Sequence, residues 1–296
     1  MKKRRFLTFF YWLLLIIFVA IVTPDMPMSI RTHGLWFFLL QMALGVIAVQ
    51  IVLGPILAYF TLRYPVNAGF TMVAEDDEDL PPTMRKALTD ATAEVVALGF
   101  EFVAFFKGSF RAGSQKVFIT MLRHPTAFTW AACHSHVLKG VVTLKAHVVE
   151  FETRLQNGRE IQTSRMKAVS PFHRLPHVIA VQFKSNERTL AELLDLHQAM
   201  IACFGESTAV DESNRDAAEY LNANWLETYE YQIKRGLHRR SADGRFFCPT
   251  VWGAMIMTWK LIWPFTIISR VLMSRRRRAM LRQLEQWRAS AGLNRV

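Results

Sequence analysis

Among its 296 residues the chain has only three cysteines, Cys133, Cys203 and Cys248, scattered and without CxxC spacing. An odd, dispersed set of this kind builds no disulfide framework and suits a reducing compartment such as the cytoplasm. Signature motifs are missing as well. No GxGxxG, Walker or EF-hand spacing occurs, so the common nucleotide and calcium loops are absent, and without a G-x-S-x-G elbow the usual serine hydrolase arrangement is absent too. There is no internal repeat and no low-complexity tract. Negative charge is also in short supply, with 24 Asp and Glu against 36 Lys and Arg, which leaves a formal charge of +12.

Such an excess can signal nucleic acid, but here its position argues otherwise. Lys2, Lys3, Arg4, Arg5, Arg63 and the run Arg275 to Arg278 flank apolar segments. Basic blocks at those places are what membrane topology requires, and they favour anionic lipid over nucleic acid as partner. A hydrophobic share of 51% and a mean hydropathy of +0.15 place the chain between a soluble protein and a polytopic bundle.

The apolar content is concentrated. Leu35 to Leu62 has no charged residue in 28 positions, whereas roughly 20 apolar residues cross a hydrocarbon core. Phe6 to Thr23 supplies a second run of 18 residues, preceded by MKKRR and closed by Pro24. Its core exceeds that of a signal peptide, and no A-x-A-like site follows. The two runs predict a transmembrane hairpin. Its basic start holds the N-terminus in the cytoplasm, so the second helix returns the chain there. Within that helix Gly45 and Gly54 are nine apart, not the four of a GxxxG face, and two spans alone do not build a transporter.

The following residues predict an α+β domain. YPVNAGFTMVAEDDEDLPP reads as an acidic linker with five consecutive acids, Glu75 to Asp79, that are solvated, paired with a basic surface of the same chain, or placed to hold the domain off an anionic leaflet. Met84, Ala87, Leu88, Ala91, Val95 and Leu98 share one helix face, with Gly99 as a stop. Short runs rich in aromatic and β-branched residues from Phe100 to His134 predict antiparallel strands. HVVEFETRL-QNG-REIQTSR predicts a hairpin at Asn157-Gly158, with Leu155 opposite either Glu160 or, preferably, Ile161. HVIAVQF gives a further strand. Thr189 and Glu192 stand in capping-box relation before a helix striped by Leu190, Leu193, Leu194, His197, Ile201 and Phe204. Another helix is expected from Asp211 to Lys234.

The last apolar stretch, Thr250 to Met273, is long enough to span, but Lys260 lies near its middle and Pro264 can break it. A charge at mid-bilayer costs roughly 3 kcal/mol. A third span would also carry Arg275 to Arg278 outward. An interfacial or kinked segment is therefore expected, with Trp252, Trp259 and Trp263 at headgroup depth and Lys260, Arg270, Arg275, Arg276, Arg277 and Arg278 as headgroup contacts.

The resulting organisation is a transmembrane helical hairpin at 1–63 (spans about 6–23 and 35–62), an acidic linker at 64–82, a cytoplasmic α+β domain at 83–248 with an antiparallel sheet and packing helices, and a membrane-associated helix with a basic tail at 249–296. The histidines are the candidates for chemistry. His134 and His136 point the same way from a strand and Cys133 the other way, so CHSH is not a ready metal set; zinc needs about four ligands in tight geometry. Neither metal nor cofactor is expected. Two functions compete: a membrane-anchored binding or scaffolding module on the anionic inner leaflet of the plasma membrane, with a protein partner or a second copy as a further contact, and a membrane-bound enzyme acting on a lipid or amphiphile. The enzyme requires His134, His136 and His197 to converge in a cleft.

Overall fold

The computed structural model describes residues 45, 47, 50–110, 115–138, 148–165, 170, 172–184, 187–204, 208–212, 214–262 and 265–290. The expected first span, most of the first half of the second, and Trp263 with Pro264 lie outside the described residues. Helix α1 (Gln50–Thr61) is the described part of the second run. Strands β1 (Tyr64–Pro65) and β2 (Thr71–Met72) follow, then α2 (Pro82–Val96), β3 (Glu101–Phe110), β4 (Gln115–Arg123), β5 (Trp130–Leu138), β6 (Val148–Arg154), β7 (Glu160–Arg165) and β8 (Val178–Phe183). Helices α3 (Leu190–Phe204) and α4 (Ala217–Lys234), strands β9 (His238–Arg240) and β10 (Phe246–Pro249), and helices α5 (Val251–Leu261) and α6 (Phe265–Ser290) complete the α+β fold.

Strands β2 to β8 form one seven-stranded sheet in chain order, and β1-β10-β9 form a small antiparallel one. The large sheet is mixed, which corrects the antiparallel expectation: β8 runs parallel to β7. A parallel neighbour needs a crossover connection. The described part of the connection lies against the end of α4, where Gln232 accepts from the His173 amide (3.1 Å) and donates to its carbonyl (2.8 Å).

Alternation sorts the sheet's side chains. One face carries Phe105, Phe118, Leu122, Ala131, Cys133, Val149, Phe151, Leu155, Ile161, Val181 and Phe183, covered by α2, α3 and part of α6. Met84, Leu88, Ala91 and Val95 of α2 are buried there, as are Leu190, Leu193 and Leu194 of α3. Burial of each leucine, valine or methionine among them contributes about 1.5–3 kcal/mol. The capping box forms: Thr189 Oγ1 accepts from the Glu192 amide (3.2 Å), and Glu192 accepts from the Thr189 amide (2.7 Å). Beyond the basic run, Leu284 of α6 is 3% exposed in this core, with Met280, Leu281 and Trp287 packed around it. The opposite face holds Ala104, Phe106, Val117, Ile119, Met121 and Trp130 under Ala217 and Tyr220 of α4.

Three local expectations are corrected. The hairpin register matches neither alternative, since Arg154 lies opposite Glu160 and Thr153 opposite Ile161. A three-residue loop closes it. Gly158 adopts φ 77°, the left-handed value that ends such loops, and the Leu155 amide bonds the Arg159 carbonyl at 2.8 Å. Helix α4 begins at Ala217, because Asp216 caps it by accepting from the Glu219 amide at 2.9 Å. The segment 64–82, expected as a linker, is folded in part, with Tyr64, Ala68, Phe70 and Leu80 buried, while its acids take the expected alternative of pairing within the chain, Lys107 with Asp77 and Asp79. Hydrogen bonds from Lys107 and Lys116 hold Asp79 down to about 2.

The last helices dock through a close approach. A Cβ on Gly253 would lie 1.8 Å from the Leu237 carbonyl oxygen, and the Thr250 cap fixes the same turn through the Gly253 amide (3.0 Å). Gly253→Ala is therefore expected to destabilise by about 1–3 kcal/mol or more, as overpacking does, and to open the α5 segment to protease. Melting and limited proteolysis of the full chain in detergent check this; unchanged values would refute the tight contact.

Candidate functional site

The three proposed histidines do not converge. His134 and His136 project from β5 to the α4 side of the sheet, with ring centroids 6.3 Å apart. His197 of α3 lies under the other face, fully buried. Its Nε2 is 2.9 Å from Thr153 Oγ1 and its Nδ1 3.0 Å from Thr163 Oγ1. Thr129 Oγ1 donates to the Ala127 carbonyl (3.1 Å), so it accepts from Thr153 (2.8 Å). Thr153 must then accept from His197, which places the proton on Nε2 and makes Nδ1 the acceptor from Thr163. Burial drives the imidazole down to about 3. It is a neutral strut between helix and sheet.

A second buried histidine was not singled out by sequence. His238, 2% exposed, lies at ring-centroid distances of 5.3–6.0 Å from Tyr229, Phe172 and Tyr64, and neither ring nitrogen has a hydrogen-bond partner among the described residues. Burial lowers it to about 4. Its strand is three residues long, too short to show a period.

The main polar cluster is made by the even-numbered residues of β6 and β7, which face α4. Glu152 accepts from Tyr220 Oη (2.7 Å) and Gln162 Nε2 (2.8 Å). Arg154 reaches Glu160 (3.4 Å), Asn224 (3.1 Å) and Glu212 (3.9 Å). Glu212 also accepts from Trp130 Nε1 (3.1 Å) and Arg215 (2.6 Å). It arrives there because residues 208–210 run back along the hairpin, with the Gln156 amide on the Thr208 carbonyl and the Val210 amide on the Arg154 carbonyl. At the other end of the cluster His134 Nε2 stands 3.6 Å from Glu150, and Ser164 Oγ, opposite Glu150 in the register, is buried without a partner among the described residues.

Burial and neighbouring carboxylates govern this cluster. Glu160 is pushed up to about 8, chiefly by burial and then by Glu152, against the attraction of Arg154. Glu152 is raised by burial and by Glu150, opposed by its hydrogen bonds from Tyr220 and Gln162. Burial raises the Tyr220 hydroxyl strongly, so it remains a donor. The group can hold protons near neutrality. Among the described residues no set of three or more His, Cys, Asp or Glu is arranged to bind a metal ion. Sequence reasoning registered only the alternation of Glu150, Glu152 and Arg154; nothing marked α4 as their lid.

The basic candidates lie elsewhere. Lys260 is half-buried near the end of α5, with Nζ 3.5 Å from the Phe172 carbonyl. Arg270, Arg275, Arg276 and Arg278 are exposed on α6. Arg277 instead pairs with Glu187 and lies over the Phe183 ring at 5.2 Å. No protein-family model, curated protein or solved structure matches the chain.

The shifts set the pH dependence. A carboxyl raised on folding contributes stability fully below its ordinary range, near 4.5, and loses it as pH climbs to about 8. A histidine depressed on folding contributes above its ordinary value and loses it as pH falls, here from 6.5 toward about 3 for His197 and about 4 for His238. Glu160→Gln should therefore flatten the decline in melting temperature between pH 5 and about 8, while His197→Phe should cost about 1–3 kcal/mol by leaving a threonine hydroxyl unpaired and flatten the acid limb. Melting series across pH test both; unaltered slopes would discard the assigned shifts.

Proposed function

We propose that the chain is a membrane-anchored binding module whose α+β domain lies in the cytoplasm against the anionic inner leaflet. The single observation that carries the reading is the pairing of α1 with α5. Trp259 Nε1 donates to the Ile51 carbonyl at 3.1 Å, and Gly54 lets Thr258 approach to where a Cβ would be 2.5 Å away. Small residues permit this kind of helix contact in lipid. The outward side chains of the pair are apolar: Val52, Ile56, Phe60, Val251, Trp252 and Leu261 are each at least 47% exposed. Ile267, Ile268, Val271 and Leu272 extend that surface along the first turns of α6. So many exposed apolar side chains on one helix pair and the helix after it call for a lipid or protein covering.

Among the described residues no single helix is long and apolar enough to cross a membrane; α5 and α6 together pass by length and composition, but they bend by 80°. The spans in this reading are the two N-terminal apolar runs, while the bent pair lies along the leaflet with Lys260, Arg270, Arg275, Arg276 and Arg278 at headgroup level. The basic start, MKKRR, supports the cytoplasmic side.

Two measurements test it. The full chain should stay in the membrane pellet through high salt and alkaline carbonate, and a reporter active only outside the cytoplasm should be silent when fused at Asp243. Release into the supernatant would reject the anchor; strong reporter activity would reject the orientation.

A further inference from the structure

The bend between α5 and α6 brings together basic groups from four separate elements. Lys260 comes from the last turn of α5 and touches the Phe172 carbonyl at 3.5 Å. The Phe172–His173–Arg174 segment is itself fixed: Gln232 of α4 holds both backbone groups of His173, and Arg174 Nη1 donates to the Ala180 carbonyl of β8 at 2.8 Å. Arg235, three residues beyond Gln232, caps the same end of α4 and acts electrostatically on His173. Arg276 of α6 acts on His173, Lys260 and Arg174 alike. His173 is held below its usual range by burial first and then by Lys260, Arg235 and Arg276.

A phosphate placed among these cations would be attracted by all of them at once. Among the described residues no carboxylate forms an ion pair with Arg174, Arg235 or Arg276, although Glu150 acts electrostatically on Arg174. The neighbouring surface identifies the anion's carrier. Leu261, Ile267 and Ile268 beside the bend are exposed apolar side chains, suited to acyl chains and not to a water-soluble metabolite. Guanidinium forks and an ammonium are the groups that recognise phosphate oxygens.

We infer that Lys260, Arg174, Arg235 and Arg276 form a binding site for the phosphate of an anionic phospholipid headgroup at the α5–α6 bend. The inference rests on the membrane reading above and refines it: a particular phosphate site replaces diffuse attraction by the arginine run. Arg277, paired with Glu187, lies outside it.

The test uses the full chain purified in neutral detergent, with retained lipid counted by native mass spectrometry after adding phosphatidylglycerol, phosphatidylcholine, oleate or inorganic phosphate. One phosphatidylglycerol per chain should be held at least tenfold more tightly than phosphatidylcholine or oleate, and inorganic phosphate should not compete at millimolar concentration. Lys260→Gln with Arg276→Gln should abolish that preference, Arg174→Gln should weaken it, and Arg282→Gln should leave it intact. A melting temperature within a few degrees of the parent confirms that each variant is folded. Equal retention of oleate, effective competition by inorganic phosphate, or an unchanged preference in the folded double variant would overturn the inference. Loss of the chain from washed membranes would instead overturn the membrane reading, so the two failures are separable.

Discussion

Covering both faces of the seven-stranded sheet is the constraint on which the rest depends. Strands alternate their side chains, so a sheet with helices on each side must bury the even as well as the odd positions. The odd positions of β6 and β7 meet α3 with Val149, Phe151 and Ile161, and that side behaves as an ordinary apolar core. The even positions carry Glu150, Glu152, Arg154, Glu160 and Gln162, and α4 lies over them. Those groups leave water only because they bond one another, Tyr220, Asn224 and Glu212. An unpaired charge in the same place would be strongly destabilising, whereas the paired set offsets part of its desolvation through these bonds and ties α4 to the sheet.

The two buried imidazoles show how the same requirement is met in different ways. His197 stands in a stripe of leucines, yet its ring finds one threonine donor and one threonine acceptor on adjacent strands. That arrangement requires a neutral ring, which burial enforces. His238 sits among aromatic rings and gains packing without hydrogen bonds. Both rings tie a helix or a small sheet to its neighbour, and both lose their benefit when protonated.

The small sheet joins the domain to the apolar helices. Tyr64 follows α1 directly, and β1 pairs with β10, which leads into α5. Tyr229 of α4 stacks on Phe247 of β10 at 4.8 Å, while Trp225 Nε1 donates to the Pro65 carbonyl at 2.9 Å. Helix α4 therefore touches the small sheet, covers the carboxylate cluster and holds the His173 loop.

Much of this was legible in the chain itself. Local patterns set the stripe of α2, the capping box of α3, the Asn157-Gly158 turn and the alternation along β6, because each depends on neighbours within a few residues. The apolar run from Leu35 and the arginine run from Arg275 were equally plain, since hydropathy and charge need no partner to be read. Tertiary structure alone decided the remainder. The residues between β7 and β8 do not reveal that part of them will lie against α4, so the parallel pairing of β8 was invisible; a two-residue difference in loop closure shifted the hairpin register; and Asp77 and Asp79 did not show which base would pair with them, since Lys107 stands 28–30 residues later. The histidines are the clearest case. His134 and His197 have similar polar character in sequence, but the sheet stands between them, and which side of a sheet a helix covers is settled by long-range packing that no local pattern encodes.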